Sequence, residues 1–339
     1  MAGEQHPRRP ATMKDVAAAA EVGLGTVSRV FTNHGKVAAA TRQRVEEAAT
    51  RLNYRPSALG RGLKLSTASN IGLIVTDISN PFYGEFAEGL LSAASAIGRH
   101  VILCATGEDP AAEREYVDLL LQERVGGIIA FPTGENQDLW RSAQDLGTRI
   151  LFVDREVAGI HAAAISVDHL AGARAGTEHL LALGHRRIGY LGGPDRLTSG
   201  SMREAGYRRA HAGLGVPVDE RLVVRTRFTR ETAYASAVRL LDAPDPPTAL
   251  FAGNNVLGEA ALTAVRDRGL RLPQDISVVM FDDVSWAKLL DPPITVVAQP
   301  TTQLGVLAAR TVLTAKPEAQ ALLLAPELVV RRSTAAFYG

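Results

Sequence analysis

The sequence lacks several features that mark whole classes of protein. It has one cysteine, Cys104, inside the apolar run Val101–Ala105, which excludes disulfide bonds and cysteine-ligated zinc and predicts a buried structural thiol. No apolar run approaches the roughly 20 residues that a membrane-spanning helix needs, so we expect no membrane association. Four histidines lack ligand-like spacing on one helix, so we expect no bound metal: His161, His169, His179 and His185.

Fingerprints of catalysis and of cofactor binding are also missing. Gly192-Gly193-Pro194 follows an apolar strand pattern but lacks the glycine spacing of a dinucleotide or phosphate loop. No Ser-His-Asp set with a nucleophile elbow is visible. We therefore expect no cofactor and disfavour an enzyme.

The start of the chain does not read as an export signal. Residues 1–11 contain Arg8, Arg9 and two prolines without an apolar core region, which predicts a disordered leader and a cytoplasmic protein. Basic residues are concentrated near this end, because residues 1–65 hold 11 Lys and Arg against 5 Asp and Glu, whereas the remainder holds 26 against 31. A basic module on a mildly acidic body favours a phosphate-binding head on a larger receptor.

Three short helical patterns fill the basic module. Thr12 can cap a first helix, and a tight turn at Glu21–Gly23 leads into a second helix. Two helices joined by such a turn form a helix-turn-helix, whose second helix enters the DNA major groove. A third helix, Ala40–Leu52, closes a small core. The apolar residues at helical spacing are Val16, Ala17, Ala20, Val27, Val30, Val45, Ala48, Ala49 and Leu52.

These residues carry a family resemblance. Thr26-Val-Ser-Arg-Val30, Thr41-Arg-Gln-Arg-Val45 and Leu52-Asn-Tyr-Arg-Pro56 closely resemble the DNA-binding head of the LacI/GalR family of bacterial repressors. The resemblance extends over nearly all of the chain, through Gly184-His185, Arg203–Tyr207, Asp275–Val278, Phe281–Asp283 and Leu328–Arg331.

The head departs from the family pattern at five positions. Gly23 and Ala38 stand where a helix-capping Ser is usual, and Glu21 stands where the turn usually has Gly. Leu24 and Gly25 occupy positions that elsewhere carry base-reading side chains. The operator sequence therefore cannot be transferred from a relative.

The resemblance implies a headpiece over residues 12–65 with a hinge at 56–64. By resemblance, the hinge becomes helical only on the operator and inserts Leu63 into the minor groove. Residues at the start of the second helix face base edges, whereas others bind phosphates. The predicted DNA-binding residues are Thr12, Leu24, Gly25, Thr26, Ser28, Arg29, Asn33, Tyr54 and Leu63.

Residues 66–339 read as an α/β body. Apolar strand patterns alternate with helical patterns, which predicts doubly wound parallel sheets covered on both faces. The rhythm restarts after Gly184, so we expect two lobes of the kind found in periplasmic binding proteins. By resemblance, several crossovers join them, with lobe 1 at about 70–168 plus 295–320 and lobe 2 at about 169–291 plus 325–335.

A cleft between these lobes is the expected effector site, because open parallel sheets bind ligands at the carboxyl ends of their strands. A small sugar or polyol needs planar polar groups for its hydroxyls and an aromatic face for its ring. Arg203, Asn254 and Asp282 match family positions that contact effectors, and Asp154 lies near the cleft in the same comparison. Neighbouring residues after a strand diverge in direction, so we interpret Asp282 as a binding carboxylate and Asp283 as a capping one. The candidate aromatic residues are Phe82, Tyr83, Phe228 and Trp286.

We therefore expect a homodimeric, effector-responsive transcriptional repressor on a near-palindromic operator, because one headpiece covers only a half-site. No leucine heptads follow Arg331, so no tetramerising tail is expected. Three alternatives remain open at this point: a solute-binding protein for transport, an enzyme that uses the cleft, and a regulator controlled by a protein corepressor. The missing signal peptide and the headpiece oppose the first, and the missing catalytic constellation opposes the second.

Overall fold

The computed structural model describes residue 9 and residues 11–32, 35–54, 70–314 and 321–338. The chain forms two compact units, residues 1–68 and residues 69–339. No helix in the described ranges is long and apolar enough to cross a membrane. Asn33, the hinge at 56–64 and Leu63 lie outside the described residues, so the expectations for them remain predictions.

The first unit contains the three predicted helices, α1 (Met13–Ala19), α2 (Leu24–Thr32) and α3 (Ala39–Arg51). Their facing sides bury the aliphatic residues that the helical spacing selected, with Val16, Val27 and Val45 completely buried. Phe31 and Tyr54 pack against this core with their ring centroids 5.7 Å apart. The helix-turn-helix and its mini-core are therefore confirmed.

The helix N-termini of this unit differ in their side-chain capping. Thr12 forms a capping box with Asp15, in which the Asp15 backbone N–H donates to the Thr12 hydroxyl and the Asp15 side chain accepts from the Thr12 backbone. Ala38 provides no side-chain hydrogen bond to the start of α3. Glu21 holds the turn with a φ of 53°, a conformation that glycine adopts at lower cost.

We predict that Ala38→Ser stabilises the headpiece by about 1 kcal/mol, because a serine at this N-cap position accepts a hydrogen bond from the first turn of α3. Thr12→Ala serves as the matched opposite change and should cost a similar amount, since it removes an existing cap. Urea unfolding of the full chain, followed by helical circular dichroism, measures both. An unchanged transition in Ala38→Ser beside a weakened one in Thr12→Ala would contradict the prediction.

The second unit alternates strands and helices along the chain. Its first half has β1 (Asn70–Val75), α4 (Pro81–Ala96), β2 (His100–Ala105), α5 (Pro110–Gln122), β3 (Gly127–Ala130), α6 (Gln137–Asp145), β4 (Ile150–Val153) and β5 (Ala163–Val167). The chain continues with α7 (His169–Ala182), β6 (Ile188–Gly192), α8 (Thr198–Gly213), β7 (Val223–Arg225), α9 (Arg230–Leu241), β8 (Ala249–Ala252), α10 (Asn255–Asp267) and β9 (Ser277–Phe281). It ends with β10 (Thr295–Ala298), α11 (Thr301–Thr314), β11 (Ala321–Leu324) and β12 (Glu327–Val329).

The strands form two six-stranded sheets with matching order. The sheet of lobe 1 runs β11-β5-β4-β3-β1-β2, and the sheet of lobe 2 runs β12-β10-β9-β8-β6-β7. All pairs are parallel except β10 with β12. Apolar cores cover both faces of each sheet, because successive strand residues such as Leu73 and Ile74 point to opposite cores. The two-lobed, doubly wound architecture is confirmed.

Two details of the expected lobe composition were wrong. Thr295–Ala298 pairs with β9 in the sheet of lobe 2, although we expected it in lobe 1. The sequence pattern of a short apolar strand followed by a helix is the same in both lobes, so this pattern could not assign β10 to one of them. Ala321–Leu324 adds an edge strand beside β5 in lobe 1, where no strand was expected.

Each lobe contains one helix that follows directly after a crossover from the other lobe. After β5 the chain enters lobe 2 as α7, which crosses α8, and after β10 it returns to lobe 1 as α11, which crosses α4. Both crossings rely on glycine, because a Cβ at Gly305 would overlap the carbonyl oxygen of Phe86 and a Cβ at Gly206 would overlap that of Leu170. The helices therefore approach each other by backbone contact.

We predict that Gly305→Ala destabilises the second unit by about 1–3 kcal/mol or more, since the added methyl group forces α11 away from α4. Gly84→Ala on α4 is the matched control. A Cβ there meets nothing within 4 Å, so better helix propensity should stabilise by up to about 1 kcal/mol. Urea unfolding by intrinsic fluorescence compares the two, and equal midpoints would contradict the assigned close packing.

Candidate functional site

A small cavity between the lobes brings together all seven of the predicted effector residues. Its volume is about 20 Å³, enough for about one water molecule. A ligand of sugar size therefore requires movement of the lobes or of the lining side chains. The lining residues are Asn80, Phe82, Tyr83, Asp154, Arg155, Ser199, Arg203, Phe228, Asn254, Asp282 and Gln299.

Four of these residues were not selected from the sequence as effector-binding residues. Arg155 lies just after β4 and Asn80 caps α4, and neither was given a role. Gln299 directly follows β10, where the strand-end rule also applies. Ser199 lies in the first turn of α8, and no sequence signal distinguishes it.

Asp154 and Asp282 occupy equivalent places in the two lobes. Asp154 follows β4 and Asp282 follows β9, the third strand in each sheet order. The backbone N–H of each donates to the neighbouring strand, to Ile165 in lobe 1 and to Val297 in lobe 2. Both have left-handed backbone, with φ of 65° and 78°. Residues held in such conformations concentrate at functional sites, so the pair marks the cleft.

Asp154 is a buried carboxylate that lies close to three cationic or polar neighbours. Oδ1 lies 2.8 Å from Nε2 of His169 and 3.8 Å from Nη2 of Arg203, both from lobe 2. Burial raises the pKa of Asp154, but the contact with His169 and the charges of Arg203 and Arg155 lower it by more, so that its pKa lies well below the usual value.

The guanidinium group of Arg203 is fixed within lobe 2 and lies 3.8 Å from Asp154 of lobe 1. Nε donates to Nδ1 of His169 at 3.3 Å, Nη1 donates to the carbonyl of Gly253, and the group stacks 4.1 Å above the Phe281 ring. Because a guanidinium always carries its protons, Nδ1 of His169 must be an acceptor, and the imidazole proton therefore belongs on Nε2, facing Asp154.

Asp282 is held from two sides within the cleft. Oδ2 accepts from the backbone N–H of Asn255 at 3.0 Å, and Oδ1 accepts from the Gln299 side chain at 2.5 Å. Burial raises the pKa of this carboxyl group above its usual value. Asp283 points elsewhere and pairs with Arg331 and Lys288. Asp282 therefore lines the cleft, whereas Asp283 forms ion pairs in place of the expected cap.

Aromatic rings line the cavity from both lobes. Phe82 and Tyr83 come from α4, and their rings pack edge-to-face with each other and with Phe131. Phe228 comes from lobe 2 and lies 5.5 Å from the guanidinium of Arg155. Trp286 does not line the cavity and packs against the core of lobe 2 instead.

A side-chain amide pair closes the lobes next to the cavity. Asn255 donates from Nδ2 to Oδ1 of Asn80 at 2.8 Å. The same oxygen caps α4 by accepting from the backbone N–H of Phe82. This double role fixes the orientation of both amides.

The predicted DNA-binding residues of the headpiece differ in accessibility. Leu24, Gly25 and Arg29 are exposed on α2, whereas Thr26 and Ser28 are half-buried. Arg29 donates from Nε to the carbonyl of Gly25 at 3.1 Å, which orients its side chain along the helix. Tyr54 is half-buried against the mini-core, and the Thr12 hydroxyl is engaged in the capping box.

A helix-turn-helix unit followed by a two-lobed unit with a polar cleft defines a ligand-responsive DNA-binding regulator. Residues 12–57 match the description of bacterial regulatory proteins of the lacI family, and residues 177–334 match a periplasmic binding protein-like domain. The chain is 37% identical to the HTH-type transcriptional regulator DegA of Bacillus subtilis (strain 168), over 95% of this chain and 98% of DegA.

Solved structures agree with this relationship. A lac repressor dimer bound to operator and the anti-inducer ONPF is 28% identical with a TM-score of 0.80, covering 97% of this chain and 100% of that one. A complex of the transcriptional regulator CelR with cellobiose is 31% identical with a TM-score of 0.72, covering 95% and 99%. The chain belongs to the LacI family of bacterial regulatory proteins. It is an effector-controlled, DNA-binding transcriptional repressor and not an enzyme.

Proposed function

We propose that this chain acts in the cytoplasm as a homodimer on a near-palindromic operator, and that a small sugar or polyol bound between its lobes sets its operator affinity. The observation that supports this proposal is the composition of the cavity lining, which combines planar polar groups from both lobes with aromatic rings. A ring-shaped polyol presents hydroxyl edges and apolar faces, and this lining matches both.

Unsatisfied polar atoms support the assignment of the cavity as a binding site. Among the described residues, no hydrogen-bond partner meets Arg155 Nε or Gln299 Oε1, although both atoms are buried. Buried polar groups without partners are costly. Hydroxyl groups of a bound ligand would satisfy them, and the related CelR structure holds the sugar cellobiose.

Effector binding would act on the headpiece through the lobes. Asp154 and Asp282 stand on opposite lobes, so a ligand that contacts both favours one separation of the lobes over another. We propose that the effector-binding residues are Phe82, Tyr83, Asp154, Arg203, Phe228, Asn254 and Asp282. The hinges of a dimer, predicted at 56–64, would then form together or not at all, which couples the cleft to the operator.

Titration calorimetry of the full chain against a panel of sugars, polyols and nucleobases tests this proposal. A saturable ligand that changes operator affinity would support it. If no panel member binds and a purified partner protein changes operator affinity instead, control lies with a protein corepressor.

We propose that α2 reads the operator with Leu24, Gly25, Thr26, Ser28 and Arg29.

We predict that Arg29→Ala weakens operator binding by about 1–3 kcal/mol, the range of a good base or charged phosphate contact. Its exposure on α2 and its helix-bound Nε motivate the choice. Fluorescence anisotropy with a selected operator at fixed salt measures the effect. Arg51→Ala on α3, where the guanidinium bonds the Ala19 carbonyl, controls for loss of one positive charge. An equal loss in both variants would point to charge alone.

A further inference from the structure

Glu108 holds Arg155 at the rim of the cleft. It lies in the loop between β2 and α5, and its carboxylate accepts from both terminal nitrogens of Arg155, with each oxygen 2.8 Å from its partner. The Glu108 backbone has a φ of 63°, a region that glutamate seldom adopts. The fold therefore keeps this carboxylate in place at a conformational cost.

This pairing limits what Arg155 can offer to a ligand. The end of the guanidinium fork formed by the two terminal nitrogens is occupied, so this end cannot grip a phosphate or carboxylate in bidentate fashion. Of the other donors of the guanidinium, the Nε–H group is buried and has no hydrogen-bond partner among the described residues. Nε lies 4.0 Å from Oδ2 of Asp154.

A donor and an anionic acceptor at this separation suit a hydroxyl group. The hydroxyl oxygen can accept from Arg155 Nε while its proton is donated to Asp154. A phosphate or carboxylate group would bring its own negative charge against the anionic Asp154, which disfavours its binding. The neighbouring cations are already matched, because Arg155 and Arg203 pair with Glu108 and Asp154, and the carboxyl group of Asp282 also lines the cavity.

We propose that Glu108 makes this cleft selective for uncharged, hydroxyl-bearing ligands and excludes phosphorylated or carboxylated ones. The inference rests on the proposed function only in taking the cleft as the effector site. It adds a specificity-determining residue and the charge class of the ligand.

Inorganic phosphate is the probe, titrated into the full chain by calorimetry at constant ionic strength. The wild-type protein is expected to show no Arg155-dependent phosphate binding. Glu108→Gln keeps the side-chain size but removes the charge, and should bind phosphate at least about tenfold more tightly, because a charge-assisted hydrogen bond is worth at least that factor. The double variant Glu108→Gln with Arg155→Gln should lose this gain, which separates the cleft from the basic headpiece.

Two outcomes would overturn the proposal. One is phosphate binding by the wild type that Arg155→Gln abolishes, and the other is no gain in Glu108→Gln. Glu108→Ala repeats the test if Glu108→Gln does not fold. The result is independent of the sugar panel, because a chain that binds no sugar but gains phosphate affinity in Glu108→Gln keeps this assignment while the polyol proposal fails.

Discussion

Replacing Arg203 by alanine is expected to lower the free energy of unfolding of the second unit by about 3–5 kcal/mol, the usual cost of breaking a buried ion pair. The substitution leaves the anionic Asp154 without its lobe 2 cation, removes a donor from His169 and the Gly253 carbonyl, and uncovers the Phe281 ring. Urea unfolding monitored by intrinsic fluorescence measures the change.

Arg196 supplies the matched control. It also pairs between lobes, with Glu135 at 3.9 Å, but about half of each side chain is exposed to solvent. Exposed pairs contribute about 0–1 kcal/mol, so Arg196→Ala should change stability little. Similar losses in the two variants would mean that burial of Arg203 does not set its contribution.

Replacing Asp282 by alanine is expected to abolish the response to effector while operator affinity persists. The carboxylate is buried in the cleft and already fixed by Asn255 and Gln299, so its oxygens are oriented before ligand arrives. Loss of a hydrogen bond to a charged group costs about 1.5–3 kcal/mol, which lowers effector affinity roughly 10- to 150-fold. Calorimetry and operator anisotropy on the same preparation measure both quantities.

Asp283→Asn tests whether the position of the carboxylate, and not its charge alone, explains the loss of effector affinity in Asp282→Ala. This neighbour pairs with Arg331 and Lys288 outside the cavity, so its substitution should leave effector affinity unchanged. If Asp282→Ala still released or gained operator normally on effector addition, the assignment of the cleft would be wrong.

The sequence predicted most elements because both faces of each sheet are buried. A strand such as β3 or β8 is apolar throughout and is followed by an amphipathic helix, which separates the two patterns clearly. β11 escaped prediction for the opposite reason. It is a short edge strand whose Leu322 and Leu323 are largely exposed, and a run of leucines at residues 322–324 has no alternation that distinguishes a strand from a helix.

The cleft was predictable where chemistry follows directly from strand ends. Asp154 and Asp282 stand immediately after β4 and β9, and both line the cavity. The contribution of Arg155 could not be derived in the same way, since its availability depends on Glu108, which is 47 residues away in sequence. Asn80 likewise depends on Asn255 of the other lobe. Such pairings between distant segments leave no periodic trace in a single sequence.

The helices that follow the crossovers, α7 and α11, also affect the order in which the lobes can fold during translation. N-terminal segments generally fold first as they leave the ribosome. Here five of the six strands of the lobe 1 sheet come from residues 70–167, but one face is covered only by α4 until α11 emerges, with Leu304, Ala308 and Val312 completing its core. Its last strand, β11, ends only at Leu324. The nascent lobe 1 must therefore wait for translation of nearly the entire lobe 2 before its sheet and its core are complete.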